Sequence, residues 1–330
     1  MDGRVWDKKV AVFTKADRFF RLLQCCSQKN FEIWPICARL RPTQPVTLKK
    51  SPNASFLMSQ KTVLPALTQP FAISDMQATD YREAGHILLK GVLSSEEVAP
   101  YRRVIVDAAS RLNTENRTME NRDTYGKAFL QTMNLWEDDE AVRNFTMAKR
   151  FAQIAAGLMG VERVRLYHDQ ALFKEPGGGL TPWHQDQYYW PIDTANTITM
   201  WMPLVDIAQG MGMLTFASGS HQGGFVGNLE ISDESEAVLD DLIRERGYTI
   251  SSPDTMQAGD ATFHSGWTIH SAPANHSSKM REVMTVIYVA DGARVTNPLN
   301  KNQENDRMRW LMGKEVGANI DSRLNPLLNV

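Results

Sequence analysis

The hydrophobic pattern changes character part-way along the chain. From about residue 77 to residue 160 apolar positions recur mainly at helical spacing, and beyond that they fall in short runs of strand character. A brief apolar run through Ile87, Leu88 and Leu89 predicts a strand. Ser94 and Glu97 then form a capping box ahead of a helix over 96–112. Val142, Phe145, Phe151, Ile154 and Leu158 mark one face of a second helix over 139–159, closed by Gly160. The runs 164–174, 197–206, 213–217, 261–271 and 283–290 are β-branched or aromatic and bounded by Gly, Pro, Asn and Asp, as strands are. Gly177 to Gly179 and Gly210 to Gly212 mark turns. A polar stretch over 233–246 reads as a surface helix opened by an Asp233/Glu236 cap. Helices followed by many short strands predict an α+β chain, mainly β, whose strands close into a barrel or sandwich.

Charge separates the first 57 residues from the rest. They carry 11 Lys/Arg against 4 Asp/Glu, hold all three cysteines (Cys25, Cys26, Cys37) and show no clean period. We expect a poorly ordered basic extension over 1–57 and one domain over 58–330, with a helical insertion at about 230–247 and a tail at about 296–330. The body carries 25 basic and 34 acidic residues, so it offers no clustered cations for nucleic acid. It has no run of about 18 apolar residues, so no membrane span is expected. A cysteine-free body excludes a disulfide framework there and suits a reducing compartment. The cytoplasm is the expected location, or a mitochondrion or other organelle if the extension is a transit peptide. Asp2, Asp7 and Asp17 sit badly in such a peptide. Nothing in the pattern speaks to oligomeric state.

The chemistry centres on Trp183-His184-Gln185-Asp186. On extended backbone, side chains at i and i+2 share a face, so His184 and Asp186 offer an imidazole and a carboxylate to one point. That is two-thirds of the facial triad that holds non-haem Fe(II) with positions left open. Alone, the pair fits a surface turn with a solvated Asp better than a metal site. Downstream, the run 261–271 contains both His264 and His270, and either could complete the triad. Arg281 opens the apolar run 283–290; a planar guanidinium there suits a carboxylate in a low-dielectric pocket.

The ordered set His184-x-Asp186, Ser218-Gly219-Ser220-His221, Gly259-Asp260, His270 and Arg281 resembles the phytanoyl-CoA dioxygenase family of 2-oxoglutarate enzymes, over roughly residues 77–300. The resemblance implies a double-stranded β-helix, a jelly-roll or cupin-like barrel with flanking helices. It implies Fe(II), 2-oxoglutarate and O₂ as cofactor and co-substrates, with His184, Asp186 and His270 as metal ligands. Arg281 falls on the anchor for the distal carboxylate of 2-oxoglutarate, and Gln170, Trp201 and Gln131 on positions beside it. Ala272 departs from the pattern, since relatives often carry a hydroxyl two residues after the His. His221 and His276 read as structural or exposed.

Tyr188, Trp190 and Trp267 are expected to line a pocket for a small, partly apolar substrate. The implied activity is hydroxylation with release of succinate and CO₂, and no catalytic side chain beyond the ligands is expected. Asp186, in place of Ala or Gly, speaks against a halogenase. A non-catalytic metal- or ligand-binding barrel and a cupin-type oxygenase without 2-oxoglutarate are the alternatives.

Overall fold

The computed structural model describes residues 64–328; the expectations for residues 1–57 lie outside the described residues. In chain order the strands are β1 (His86–Leu89), β2 (Leu130–Met133), β3 (Val164–Phe173), β4 (Thr181–His184), β5 (Thr197–Pro203), β6 (Ile207–Ala208) and β7 (Thr215–Ser218). They continue with β8 (Thr249–Ser251), β9 (Thr255–Met256), β10 (Ala261–Ser265), β11 (His270–Ala272), β12 (Val283–Ala290) and β13 (Leu327–Leu328). The helices are α1 (Asp75–Ala84), α2 (Ser95–Leu112), α3 (Thr124–Ala128), α4 (Leu135–Asp138), α5 (Glu140–Thr146), α6 (Lys149–Met159), α7 (Asp233–Arg246) and α8 (Lys301–Arg309).

The large antiparallel sheet runs β1-β10-β5-β12-β3-β13, with β2 also on β3; the small sheet runs β4-β11-β7-β8. Period-2 alternation sorts the large sheet's two faces. Ile198, Met200 and Met202 of β5 join Phe263, Met284 and Val286 in the main hydrophobic core, together with Ile105, Phe145, Phe151 and Leu158 of the helices. Thr199 and Trp201, one residue out of phase, face a cavity that His270 of the small sheet also lines. The site therefore sits between the sheets, and the helices cover the outer face of the large one. This is the α+β jelly-roll architecture expected from the sequence.

A bulge in β3 matters to the site. Ile287 pairs with His168 and Tyr288 with Leu166, so Tyr167 is the extra residue. The alternation shifts there. Leu166 packs in the main core, whereas Tyr167 joins a second cluster with Trp190 and His168 faces the cavity.

The capping box of α2 forms as expected, with Ser94 accepting from the Glu97 amide and Glu97 from the Ser94 amide. Three expectations are corrected. The helix over 139–159 is two helices, α5 and α6, meeting at Met147 and Ala148. The run 261–271 is two strands in different sheets. Gly266 lies at the crossing, where a Cβ would stand 2.4 Å from Thr197 Oγ1 and 2.7 Å from Trp190. Helix α7 has the expected span, but Ser232 and Ser235 cap it, and Glu236 instead accepts from the backbone N–H of Trp183 at 2.7 Å. Among the described residues no helix is long and apolar enough to cross a membrane.

Candidate active site

His184 ends β4 and His270 begins β11, and these two residues are register partners across the small sheet. Gln185 keeps extended backbone, so Asp186 returns to the face of His184, while Gln185 turns away to donate to the carbonyls of Gly224 and Trp267. His184 Nε2 and His270 Nε2 lie 3.6 and 3.7 Å from Asp186 Oδ1. One atom from each of the three side chains falls within 4.8 Å of the others.

The surrounding bonds assign the protons. His184 Nδ1 lies 2.7 Å from the Pro182 carbonyl and His270 Nδ1 2.9 Å from that of Thr268. A carbonyl accepts only, so each ring donates from Nδ1 and turns Nε2 inward, the orientation a metal-binding histidine needs. Burial holds the His270 imidazole well below its ordinary pKa, and the neighbouring His184 and His264 add to this. Burial alone would discourage ionisation of Asp186. The imidazoles of His270, His184 and His264 outweigh it and keep the carboxyl well below the usual range. Two imidazoles with Nε2 turned inward and one carboxylate form a donor set that fits a divalent iron.

His264 plays a different part. It stands on β10, opposite Thr199 of β5, and its Nε2 lies 3.2 Å from Asp186 Oδ2. Thr199 donates to the same oxygen at 2.8 Å. One carboxylate oxygen is thus fixed from behind by the large sheet, and the other faces the two histidines. Sequence spacing left His264 and His270 as rivals; the geometry brings His270 to the triad and sets His264 behind it.

Beyond the triad lies a cavity of about 270 Å³. Its inner wall holds Arg281, 2% exposed, which donates from Nη1 to the Gly212 carbonyl at 2.6 Å and lies over the Trp201 ring at 5.3 Å. Its Nε has no partner, and among the described residues no carboxylate pairs with it. Burial pulls its pKa down to about 9. A buried cation with spare donors calls for an anionic ligand. Lys174, fully buried on the neighbouring segment, donates to the Gly179 carbonyl and to Thr181 Oγ1, the latter at 3.1 Å. Thr181 lines the cavity, and its own hydroxyl proton has no acceptor among the described residues.

Of the other expected residues, Gln170, Gln131, Trp201 and Trp190 line this cavity. Tyr125 donates to Gln131 at 3.0 Å, and Gln131 donates to Gln170 at 2.5 Å. Tyr188 and Trp267 do not line it. The 3₁₀ turn over Asp186–Tyr189 carries Tyr188 away and presents Tyr189, while Trp267 packs edge-on against Phe225. The sequence reading missed Thr181 and Asp306. Tyr189 belongs to the aromatic-rich stretch around the His184-Asp186 pair, and the tail, for which the sequence only suggests a fold over the pocket, brings Arg309 and Trp310 to the cavity. The polar helix that carries Asp306 and Arg309 has no periodic signal that would have placed them there.

Comparison with known proteins agrees with the geometry. The family model for phytanoyl-CoA dioxygenase (PhyH) matches residues 81–283. The chain belongs to the phytanoyl-CoA dioxygenase family. With the triad in place it is an iron(II)- and 2-oxoglutarate-dependent oxygenase of that family. A methylphosphonate hydroxylase of Gimesia maris is 25% identical over 221 residues, covering 66% of this chain and 81% of that protein. Among solved structures, the non-heme alpha ketoglutarate dependent carbocyclase SnoK from nogalamycin biosynthesis superposes with a TM-score of 0.64 at 24% identity, covering 79% of this chain and all of that one. The epimerase SnoN, in complex with Fe³⁺, alpha ketoglutarate and nogalamycin RO, gives 0.63 at 25% identity, covering 76% and 97%.

Proposed function

We propose that the chain hydroxylates a small organic molecule, with His184, Asp186 and His270 holding iron and Arg281 gripping the distal carboxylate of 2-oxoglutarate. The observation that carries this is the pairing of two inward-facing Nε2 atoms and one carboxylate with a buried guanidinium that has no carboxylate partner among the described residues, all in the same cavity. Iron at this triad, with 2-oxoglutarate as the two-electron reductant, would supply oxygen activation and leave succinate and CO₂.

The protein's own part is to bind, orient and exclude water. Arg281 supplies two or more N–H donors in a fixed plane, which suits a carboxylate better than a flexible ammonium. Thr181 adds an O–H donor, because Lys174 occupies its lone pair and leaves the proton for the ligand. Gln170, bridged through Gln131 to Tyr125, and the face of Trp201 support the co-substrate's flank. Trp190 and Tyr189 wall the outer part, where an apolar body is desolvated. Hydroxylation as the outcome draws support from the methylphosphonate hydroxylase relative. The cysteine-free body suits a reducing compartment such as the cytoplasm.

The test is an anaerobic titration of purified protein with Fe(II) and 2-oxoglutarate. A visible charge-transfer band that needs both, absent in His270→Ala, is expected, followed by succinate formation on admitting O₂. No band with wild-type protein would overturn the assignment.

A further inference from the structure

The outer half of the cavity carries an acid and a base that form no ion pair with each other. Asp306 and Arg309 lie three residues apart on α8 and both line the cavity. Asp306 Oδ2 accepts from the buried Tyr167 hydroxyl at 2.8 Å, and among the described residues its Oδ1 has no partner. No ion pair joins Asp306 to Arg309 or to any other described base. Arg309 lies over the Trp310 ring at 4.3 Å and has no carboxylate partner among the described residues. The bulge at Tyr167 makes the arrangement possible, because it turns the Tyr167 hydroxyl to Asp306 while the neighbouring His168 faces the cavity.

We propose that this end of the cavity selects a small zwitterion, its cationic nitrogen against Asp306 and its anionic group against Arg309. With iron and 2-oxoglutarate in place, a plain anion would still meet Asp306, whereas a plain cation would still meet Arg309. A molecule carrying both charges satisfies both side chains. Trp190, Tyr189 and Trp310 offer aromatic faces on which alkyl-ammonium groups are held. Burial raises the Asp306 carboxyl to about 7, against the Tyr167 bond and the Arg309 charge, so a bound cation would bring it to full ionisation. His168, lowered to about 3 by burial, is neutral and adds no competing charge.

The inference rests on assigning the inner half to 2-oxoglutarate. The test therefore uses the full chain loaded with Zn(II) as a redox-inert ion and saturated with 2-oxoglutarate. Four probes of matched length are titrated by calorimetry: 5-aminopentanoate, pentylamine, pentanoate and pentanamide. The expected result is 5-aminopentanoate binding about tenfold tighter than each of the others. Asp306→Asn, which keeps an acceptor for Tyr167, should lose about tenfold for 5-aminopentanoate and pentylamine and spare pentanoate; Arg309→Gln should weaken pentanoate and 5-aminopentanoate and spare pentylamine. Four equal affinities, a preference for pentanoate, or no heat with 5-aminopentanoate up to about 10 mM would overturn the proposal. Affinity for 2-oxoglutarate is measured alongside. If it fails too, the inner-site assignment falls; if it stands while the zwitterion pattern is missing, only this inference falls.

Discussion

Thr181 of β4 stands directly across the small sheet from Ala272 of β11, and both side chains line the cavity. The family resemblance places a hydroxyl two residues after His270, where this chain has Ala272. Here the neighbouring strand offers one instead, fixed by Lys174 at 3.1 Å. This hydroxyl is our candidate to compensate the departure at 272 from one strand over. Thr181→Val should weaken 2-oxoglutarate binding about tenfold or more, the usual loss for one hydrogen bond to a charged group. Adding Ala272→Ser to that variant should recover part of it. Calorimetry on the Zn(II)-loaded protein reads both; an unchanged affinity in Thr181→Val would remove Thr181 from the site.

Arg281 separates binding from stability. It is buried without a carboxylate among the described residues, so its charge weakens the ligand-free fold. Arg281→Met should leave the melting temperature of the ligand-free protein equal or higher, and should cut 2-oxoglutarate affinity on the order of 100-fold. Arg281→Lys should restore little, because an ammonium lacks the planar fork. A variant that melts much lower and still binds normally would show that Arg281 is structural.

The two histidines of the run 261–271 should differ in kind. His270→Ala removes a ligand and should abolish stable metal binding. His264→Ala removes only the donor behind Asp186 Oδ2 and leaves Thr199 in place, so metal affinity should fall about 10- to 100-fold. Competition with a fluorescent chelator measures both. Equal losses would contradict the layered arrangement.

That pair also shows where the sequence stops being informative. His270 came only from the family resemblance, whereas the His184-Asp186 pair was legible because i and i+2 on extended backbone fix a common face whatever the fold around them. The separation of His264 from His270 was not, since Ala261 to Ser271 reads as one apolar run. Gly266 is the signal: no Cβ fits beside Thr197 and Trp190, and the chain crosses between sheets there. The helix break at Met147 and Ala148 has no Gly or Pro to announce it. It follows from packing, with Thr146 donating to the buried Asp169 carboxylate at 2.7 Å, the same group that caps the start of α4. Tyr188 and Tyr189 are indistinguishable by composition; a single 3₁₀ turn decides which of them meets the cavity.

Lys174 makes the last expectation a matter of pH. Burial, with the Arg281 charge adding to it, lowers its pKa to about 6 from the ordinary 10.5. A base depressed in the folded state adds stability that is full above its unfolded pKa and is lost as pH falls through the folded one. Asp306 and Asp169, each raised to about 7 by burial, act in the opposite sense, but only below that pH. Arg281 at about 9 contributes only above that pH. Between about pH 7 and pH 9 the slope from Lys174 stands alone among these groups, so the ligand-free protein should melt higher as pH rises. Lys174→Met should flatten that rise. Saturating 2-oxoglutarate should also shrink it, because a bound carboxylate favours the charged ammonium. Melting curves across this window decide the point: an identical slope in wild type and Lys174→Met would mean that the buried ammonium keeps its proton without help from a ligand.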